Sequence, residues 1–417
     1  MASQEMVFGA GDYVVFALVL LVSAGIGIFH AFFGHKQNTT GEFLMGGRQM
    51  KTVPLAISIL VSFMSAILIL GTPAEMYREG TQYYLDTFGL TIAIVVSAVL
   101  EGRNVTRFDG LWTSFILQGT YAVGGLSEVW RINEEWGRIQ FFDFNPDPTV
   151  RQSFWSLVIG TAIAWSYTYG LSQVTVQRYC ALPTLRQARL SVILNIGGVI
   201  LMNTSVCLAG IIIFAYYAQK GCDPLSDSKV SNPNQLVPYF VMEVLGYPGL
   251  PGLFMSSLFS GALSTMSSCL NALSAVCWED FIKPVLGDRL TEAQETLITK
   301  LLVLFFGAAG IGVSFMTMHL GGTILQVSLS FTGAASGPIL GMFILGAFFP
   351  WANWIGAVVG GVLGLVFPLW ISIGAYTVVG TPSSLEYPTH NCSVPNSTIS
   401  MATTMSSNLT TVQAPVE

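Results

Sequence analysis

VPLAISILVSFMSAILILGTPAEMYREG, residues 53–80, is long and apolar enough to cross a bilayer. It nevertheless carries Ser58, Ser62 and Ser65 at helical spacing and is interrupted by Gly71-Thr72-Pro73. Proline removes a backbone donor and clashes with the preceding turn. In lipid, such a break is tolerated where it is buried in protein or lines a wet cavity, and its freed carbonyls can hold a cation. A proline-kinked helix whose serines bond back to their own carbonyls also explains the pattern.

The composition indicates a polytopic membrane protein. Of the 417 residues, 52% are hydrophobic and 10% are charged, whereas an average soluble domain has about 25% charged residues. The net charge of -6 comes without a basic run, so nucleic acid is not an expected partner. The six cysteines and four histidines show no metal-ligand spacing, so we expect no bound cofactor. The apolar segments offer no nucleophile beside a base, so we do not expect the protein to be an enzyme.

Ten segments have the length and polarity of membrane-spanning helices, which need about 20 mostly apolar residues. They are 13–33, 53–72, 83–100, 109–125, 153–175, 191–217, 249–277, 301–320, 324–349 and 354–378. Lysine and arginine are concentrated in alternate loops, and cytoplasmic loops retain these residues. This distribution predicts an all-α membrane protein with its N-terminus outside, provided that the weakly apolar segment 109–125 also crosses.

The C-terminal region differs from the rest in composition. Residues 1–378 form the predicted transmembrane domain, and residues 379–417 are rich in serine and threonine, which predicts a disordered extracellular tail. Three glycosylation sequons lie in this tail, at Asn391, Asn396 and Asn408. The glycosylatable tail and the absence of a retention signal predict a multi-pass protein of the plasma membrane. Cys222 and Cys392 would both face the oxidising side and could pair.

A second unusual stretch is SGALSTMSSCLNAL, residues 260–273, which places five hydroxyl side chains in one span. Ser260, Ser264 and Ser268 share a helical face, and Thr265 borders it. Uncharged oxygens on one face suit Na⁺, a hard cation that prefers oxygen ligands. A packing seam, in which small residues bring helices close and hydroxyls bond across them, explains the same residues. Seen alone, the stretch favours neither interpretation.

The span 153–175 brings Trp165 and Tyr167 close to hydroxyl and amide side chains. An aromatic belt at the membrane interface explains the rings, and a cavity-lining face explains the hydroxyls. Both interpretations stay open.

These segments, together with FNPDPTVRQSFW (144–155), YGLSQVTVQRY (169–179), GYPGLPGLF (246–254) and SGPILGMFILGAFFPWAN (336–353), resemble the sodium/solute symporter family. The resemblance is to the branch with sodium-coupled monocarboxylate, iodide and multivitamin transporters. It implies an inverted-repeat fold of five plus five core helices that works by alternating access.

The resemblance implies a sodium site between the broken first core helix and the eighth. The hydroxyls of Ser264 and Thr265 would be ligands, and backbone carbonyls of Val61, Met64 and Gly261 would complete the site. The implied partners are therefore Na⁺, a small anionic solute and the lipid bilayer.

The resemblance also implies residues of a substrate cavity. Ser65 and Leu68 fall where iodide-type members line a substrate or second-ion pocket, and Leu68 replaces a polar residue found in some of them. Thr168 occupies the position of an inner-gate tyrosine in sugar-transporting members. Trp165 and Tyr167 are expected to line the same cavity.

The chain departs from the family after residue 100. Core helices 3, 4 and most of 5 should follow, but EGRNVTRFDGLWTSFI (101–116) resembles nothing in the family. We therefore expect an incomplete first repeat, arising from splicing or from an error in the gene model. The resemblance implies sodium-coupled import of a short-chain monocarboxylate, with iodide or biotin/pantothenate as alternative solutes. The departure also supports an alternative interpretation, in which the chain is a transport-deficient form that associates with a full-length symporter.

Overall fold

The computed structural model describes residues 8–33, 50–63, 65–99, 110–147, 150, 152–244, 246–286, 289–317, 324–378 and 385–392. Within these residues the protein is helical and has no β-strand. The helices are α1 (Ala10–Phe33), α2 (Thr52–Phe63), α3 (Ala66–Glu79), α4 (Asp86–Val99), α5 (Gly110–Val123), α6 (Leu126–Glu135), α7 (Thr161–Gly170), α8 (Gln173–Cys180), α9 (Leu185–Lys220), α10 (Leu236–Val244), α11 (Leu250–Val276), α12 (Glu292–Thr317), α13 (Ile324–Phe348) and α14 (Trp354–Val378). A π-helical turn, Cys277–Ile282, prolongs α11.

Six helical segments of the described chain are long and apolar enough to cross a membrane. They are Ala10–Phe29, Leu185–Lys220, Leu250–Leu286, Glu292–Phe315, Leu325–Phe348 and Trp354–Gly374. The pair α2 and α3, bent by 50°, adds a seventh if it forms one span. The other predicted spans coincide with the shorter helices α4, α5 and α7, so the all-α membrane protein is confirmed and the count of ten spans is not.

The break in the first polar stretch falls at Ser65, and not at Gly71-Thr72-Pro73 as the sequence predicted. Ser65 is extended, with φ -71° and ψ 167°, and α3 continues through Pro73. Pro73 packs closely against α9, since an added Cβ at Gly210 of α9 would lie 2.7 Å from the Pro73 carbonyl oxygen. The break at Ser65 lies about two turns before this proline.

α9 lies at the centre of the described fold. It is 36 residues long and 67% of its most apolar stretch is buried. It packs against α2, α3, α4, α5 and α6. In α1, α12, α13 and α14, by contrast, between 0% and 11% of the apolar stretch is buried. Such exposed apolar surfaces are expected of helices that face lipid.

Residues 385–392 fold back onto the rest of the chain, and we call this segment with its contacts the outer cap. Cys392 forms a disulfide with Cys222, the pair that the sequence allowed. The backbone N–H of Asp223 donates to the Pro388 carbonyl at 2.8 Å. The region predicted as a disordered tail therefore includes a packed segment, and its other residues lie outside the described part of the chain.

Candidate functional site

The end of α2 contacts the polar stretch of α11. The Thr265 hydroxyl donates to the Ser62 carbonyl at 2.8 Å, with the Gly261 carbonyl at 3.2 Å. The hydroxyls of Ser62 and Ser268 lie 3.5 Å apart. The Ser268 hydroxyl also donates to the Ser264 carbonyl at 2.8 Å. We call this cluster of oxygens, where the broken helix meets α11, the inner junction.

The inner junction gathers part of the predicted sodium site. Gly261 and Thr265 meet there directly. Val61 precedes Ser62 on α2 and is half-buried, as is Ser264 on α11. Met64 lies outside the described residues. Ser62 stood out in the sequence because of its helical spacing, but no hydrogen-bond partner was predicted for its hydroxyl.

The inner junction offers uncharged oxygens from side chains and backbone. Hard cations take such oxygens as ligands. Among the described residues of the junction, these hydrogen bonds involve hydroxyls and carbonyls and no carboxylate. A cation would therefore be held by dipoles, which allows it to leave. The Thr265 hydroxyl keeps lone pairs for a cation while its proton is donated to a carbonyl.

A charged side chain also reaches the inner junction. Arg178, in the last turn of α8, donates to the Ser58 carbonyl at 2.9 Å and to the Ser62 hydroxyl at 2.7 Å. Its guanidinium also donates to the Ser268 hydroxyl. In the sequence, Arg178 belongs to the predicted loop 176–190, one of the alternate loops rich in lysine and arginine, and sequence spacing does not show where a long side chain points.

A cavity of about 330 Å³ lies between α3, α4, α7 and α13. Its lining includes Glu75, Tyr83, Asp86, Gln152, Thr161 and Trp165. Trp165, one of the residues predicted for a substrate cavity, is part of this lining, and the assignment of the cavity to a substrate stays a prediction.

The other predicted cavity residues are not among the lining residues of this cavity. Ser65 stands at the break, where its carbonyl accepts the backbone N–H of Leu68 at 3.0 Å. Leu68 packs in the same apolar cluster as Trp165. Tyr167 and Thr168 lie in the last turn of α7.

Two buried carboxylates line the cavity. Asp86 is 5% exposed and accepts a hydrogen bond from the Thr161 hydroxyl at 2.7 Å. Glu75 is 3% exposed and accepts from the Gln152 side-chain amide at 2.8 Å. The lining residues that the structure describes include no lysine, arginine or histidine. Asp86 was not among the predicted site residues, although it lies within the predicted span 83–100 and a charge within a span is a signal of function.

Similarity to known proteins defines the class to which this helical arrangement belongs. Residues 127–364 match the model of the sodium:solute symporter family. Sodium-coupled monocarboxylate transporter 1 of Xenopus laevis is 36% identical over 465 residues, covering 90% of this chain and 74% of the relative. The human sodium/iodide cotransporter is 33% identical over 460 residues, covering 89% of this chain and 71% of the relative. The chain belongs to the sodium:solute symporter family.

A solved structure supports the fold. It is the substrate-bound, outward-open state of a Na⁺-coupled sialic acid symporter, which superimposes with a TM-score of 0.67 over 91% of this chain and 100% of that chain. The sequence identity is 19%, so this likeness concerns the fold alone.

The relatives contain internal sequence that has no counterpart here. The alignment to the Xenopus laevis transporter runs over 465 residues, more than the 417 of the whole chain, so it must contain gaps in this chain. Residues 101–109 of the predicted junction lie outside the described part of the structure. The predicted loss of core helices 3, 4 and most of 5 therefore stays a prediction.

Proposed function

We propose that the chain is a sodium-coupled symporter of the plasma membrane that imports a small organic anion, with a short-chain monocarboxylate as the first choice. The contact of Thr265 with the carbonyls of Ser62 and Gly261 carries this proposal, because it joins oxygens of a broken helix and of α11. Secondary transporters hold coupling ions at broken helices of this kind. The monocarboxylate and iodide transporters among the relatives support the choice of solute.

In this proposal sodium bridges α2 and α11. Ser264 and Thr265 supply hydroxyl ligands, and Val61, Met64 and Gly261 supply backbone carbonyls. Bound sodium favours the arrangement in which the solute binds, because an ion shifts a conformational equilibrium by its differential affinity for the two states. The solute crosses the membrane chemically unchanged, so no enzymatic step is involved.

The cavity around Glu75, Asp86 and Trp165 is the proposed site of the solute. Its carboxylates oppose an anion, since two like charges about 4 Å apart repel by about 4 kcal/mol at an effective dielectric constant of about 20. A monocarboxylate would therefore need a neutralising cation, which sodium supplies in a coupled transporter. Iodide and biotin or pantothenate are alternative solutes for the same mechanism.

Uptake of radiolabelled pyruvate in cells that express this chain tests the proposal. We expect uptake in sodium medium and none when N-methylglucamine replaces sodium. The double variant Ser264→Ala/Thr265→Ala should raise the half-saturating sodium concentration about tenfold, the change expected from losing about 1.4 kcal/mol of ion binding. Ser260→Ala, which removes an exposed hydroxyl from the same helix, is the matched control. Unchanged sodium activation in the double variant would contradict the site, and competition by iodide, biotin and pantothenate identifies the solute.

The internal gaps against the relatives favour a second candidate function. In that case the chain is a transport-deficient form that associates with a full-length symporter in the membrane. It would show no uptake of its own and would co-purify with a tagged full-length relative. Sodium-dependent uptake by this chain alone would exclude the second candidate.

A further inference from the structure

Arg178 occupies an unusual place for a cation. Its guanidinium bridges two helices that belong to different parts of the chain, since Ser58 and Ser62 lie on α2 and Ser268 lies on α11. The side chain is half-buried. The hydrogen bonds that the structure shows for it go to one carbonyl and two hydroxyls, without an acidic partner among the described residues.

These acceptors lie on one side of the proposed ion ligands. Along α11, Ser268 follows Ser264 and Thr265 by one turn. Along α2, Ser58 precedes Ser62 by one turn. Since Thr265 bonds to the Ser62 carbonyl, both outlying contacts lie toward the start of α2 and the end of α11. The lysines and arginines of the adjoining loops predict that this side is cytoplasmic.

The guanidinium binds the same kinds of atoms that a sodium ion binds. It carries five N–H donors, has no acceptor and stays charged in proteins. A sodium ion that passes from the junction toward the start of α2 would meet a positive charge bonded to both walls of its path. Ser62 links the two groups, because its carbonyl accepts from Thr265 while its hydroxyl accepts from Arg178.

We propose that Arg178 is the positioning residue of a cytoplasmic gate. It holds α2 against α11, and sodium leaves toward the cytoplasm when the guanidinium swings away from its serine acceptors. This inference rests on the proposed sodium site. Hydroxyls and a helix carbonyl suit a gate that opens in each cycle, because breaking these bonds leaves no carboxylate unpaired at the junction.

The test measures dissociation of ²²Na⁺ from the purified full chain in lipid nanodiscs, for the unmodified protein and for Arg178→Gln. We expect dissociation to become about tenfold faster, because hydrogen bonds to a charged group close the gate. The direction is diagnostic. Loss of a positive charge beside the ion would by itself slow the release of a cation, so faster release reports an opened path.

The matched control is Arg186→Gln, which removes the same charge from an exposed residue shortly after α8. It should leave the dissociation rate unchanged. Ser268→Ala removes one acceptor, keeps the guanidinium, and should speed dissociation by a smaller factor, which keeps the test decisive if Arg178→Gln does not fold. A merely structural tie would lower the melting temperature of the Arg178 variant without changing the rate at which its folded fraction releases sodium.

Two results would overturn the inference, and they differ from each other. Equal dissociation rates in Arg178→Gln and Arg186→Gln, with saturable sodium binding in both, would contradict the proposed gate but not the proposed sodium site. Absence of saturable ²²Na⁺ binding by the unmodified chain would contradict both the proposed sodium site and the proposed gate.

Discussion

Arg138 and Arg178 are both withdrawn from solvent, and each ties a neighbouring segment to one half of the broken helix. Arg138 is fully buried in the outer cap. It donates to the carbonyls of Tyr77 on α3 and of Glu386, and its guanidinium lies 3.7 Å from the centre of the Phe214 ring. Arg178 is half-buried and bonds to α2 through one carbonyl and one hydroxyl.

The outer cap has further ties that the inner junction lacks among its described residues. The Tyr77 hydroxyl donates to Asp223, and the neighbouring Cys222 is joined to Cys392. Burial lowers the pKa of Arg138 to about 10, which leaves it charged at neutral pH. α3 is thus tied to the outer cap through a fully buried arginine and the Tyr77–Asp223 hydrogen bond, in a region that a disulfide closes. At the inner junction α2 is tied through hydroxyls, backbone carbonyls and a half-buried arginine, so we expect the inner junction to be the weaker of the two.

Removing the arginine of the outer cap has the largest expected effect. Arg138→Ala leaves buried carbonyls without a donor and an empty space beside Phe214, so we expect a loss of about 3 kcal/mol in the free energy of unfolding. The melting temperature of the detergent-purified protein measures it. Arg178→Ala should lower that temperature much less, because water reaches a half-buried site. Equal decreases in the two variants would show that the two arginines stabilise the fold to the same extent, contrary to this prediction.

Opening the disulfide should cost a comparable amount. Cys392→Ser removes the bond to Cys222, and we expect a loss of about 2–4 kcal/mol. Cys180→Ser, at an exposed thiol on α8, is the matched control and should melt like the unmodified protein. A reducing agent should lower the melting temperature of the unmodified protein and leave that of Cys392→Ser unchanged. If both proteins respond alike to reduction, the cap is not stabilised by its disulfide.

The smallest expected effect concerns the cavity that Asp86 lines. Asp86→Asn keeps the shape of the side chain and removes a negative charge from the lining. If the solute is an anion, the half-saturating pyruvate concentration should fall about fivefold, equivalent to about 1 kcal/mol. Ser330→Ala alters the same lining without a change in charge and serves as the control. A rise in that concentration for Asp86→Asn alone would contradict an anionic solute.

Local signals made much of the fold predictable. The apolar lengths located the helices, and the hydroxyl spacing singled out Ser62 and the stretch 260–273 before any contact was known. The break was predicted at Gly71-Thr72-Pro73, whereas α3 continues through Pro73 and the chain is extended at Ser65. Pro73 packs against Gly210, a residue distant in sequence, and such a contact cannot be predicted from the proline's own helix.

The sequence predicted which pair of helices forms the candidate site, but it did not predict the charged residues that lie at the site and in the cavity. Thr265 of α11 bonds to the Ser62 carbonyl of the broken helix and to the Gly261 carbonyl of its own helix, and the sodium site that the family resemblance implies stays a prediction. Arg178 was assigned to a loop, since nothing local shows that its side chain reaches back over two helices. Asp86 begins α4, and its place in a cavity depends on Thr161 and on α13, which come much later in the chain.

The outer cap also contains the first of the predicted glycosylation sites. Asn391, the first predicted glycosylation site, donates its side-chain amide to the Lys220 carbonyl at 3.2 Å, and its backbone N–H bonds to the Gly221 carbonyl at 2.9 Å. Glycan transfer needs that same amide nitrogen in an accessible chain. If Asn391 is glycosylated, we expect transfer to be more efficient before Cys392 closes on Cys222, because closure places this amide in a hydrogen bond. The extent of glycosylation at Asn391 would then depend on whether transfer or disulfide formation comes first.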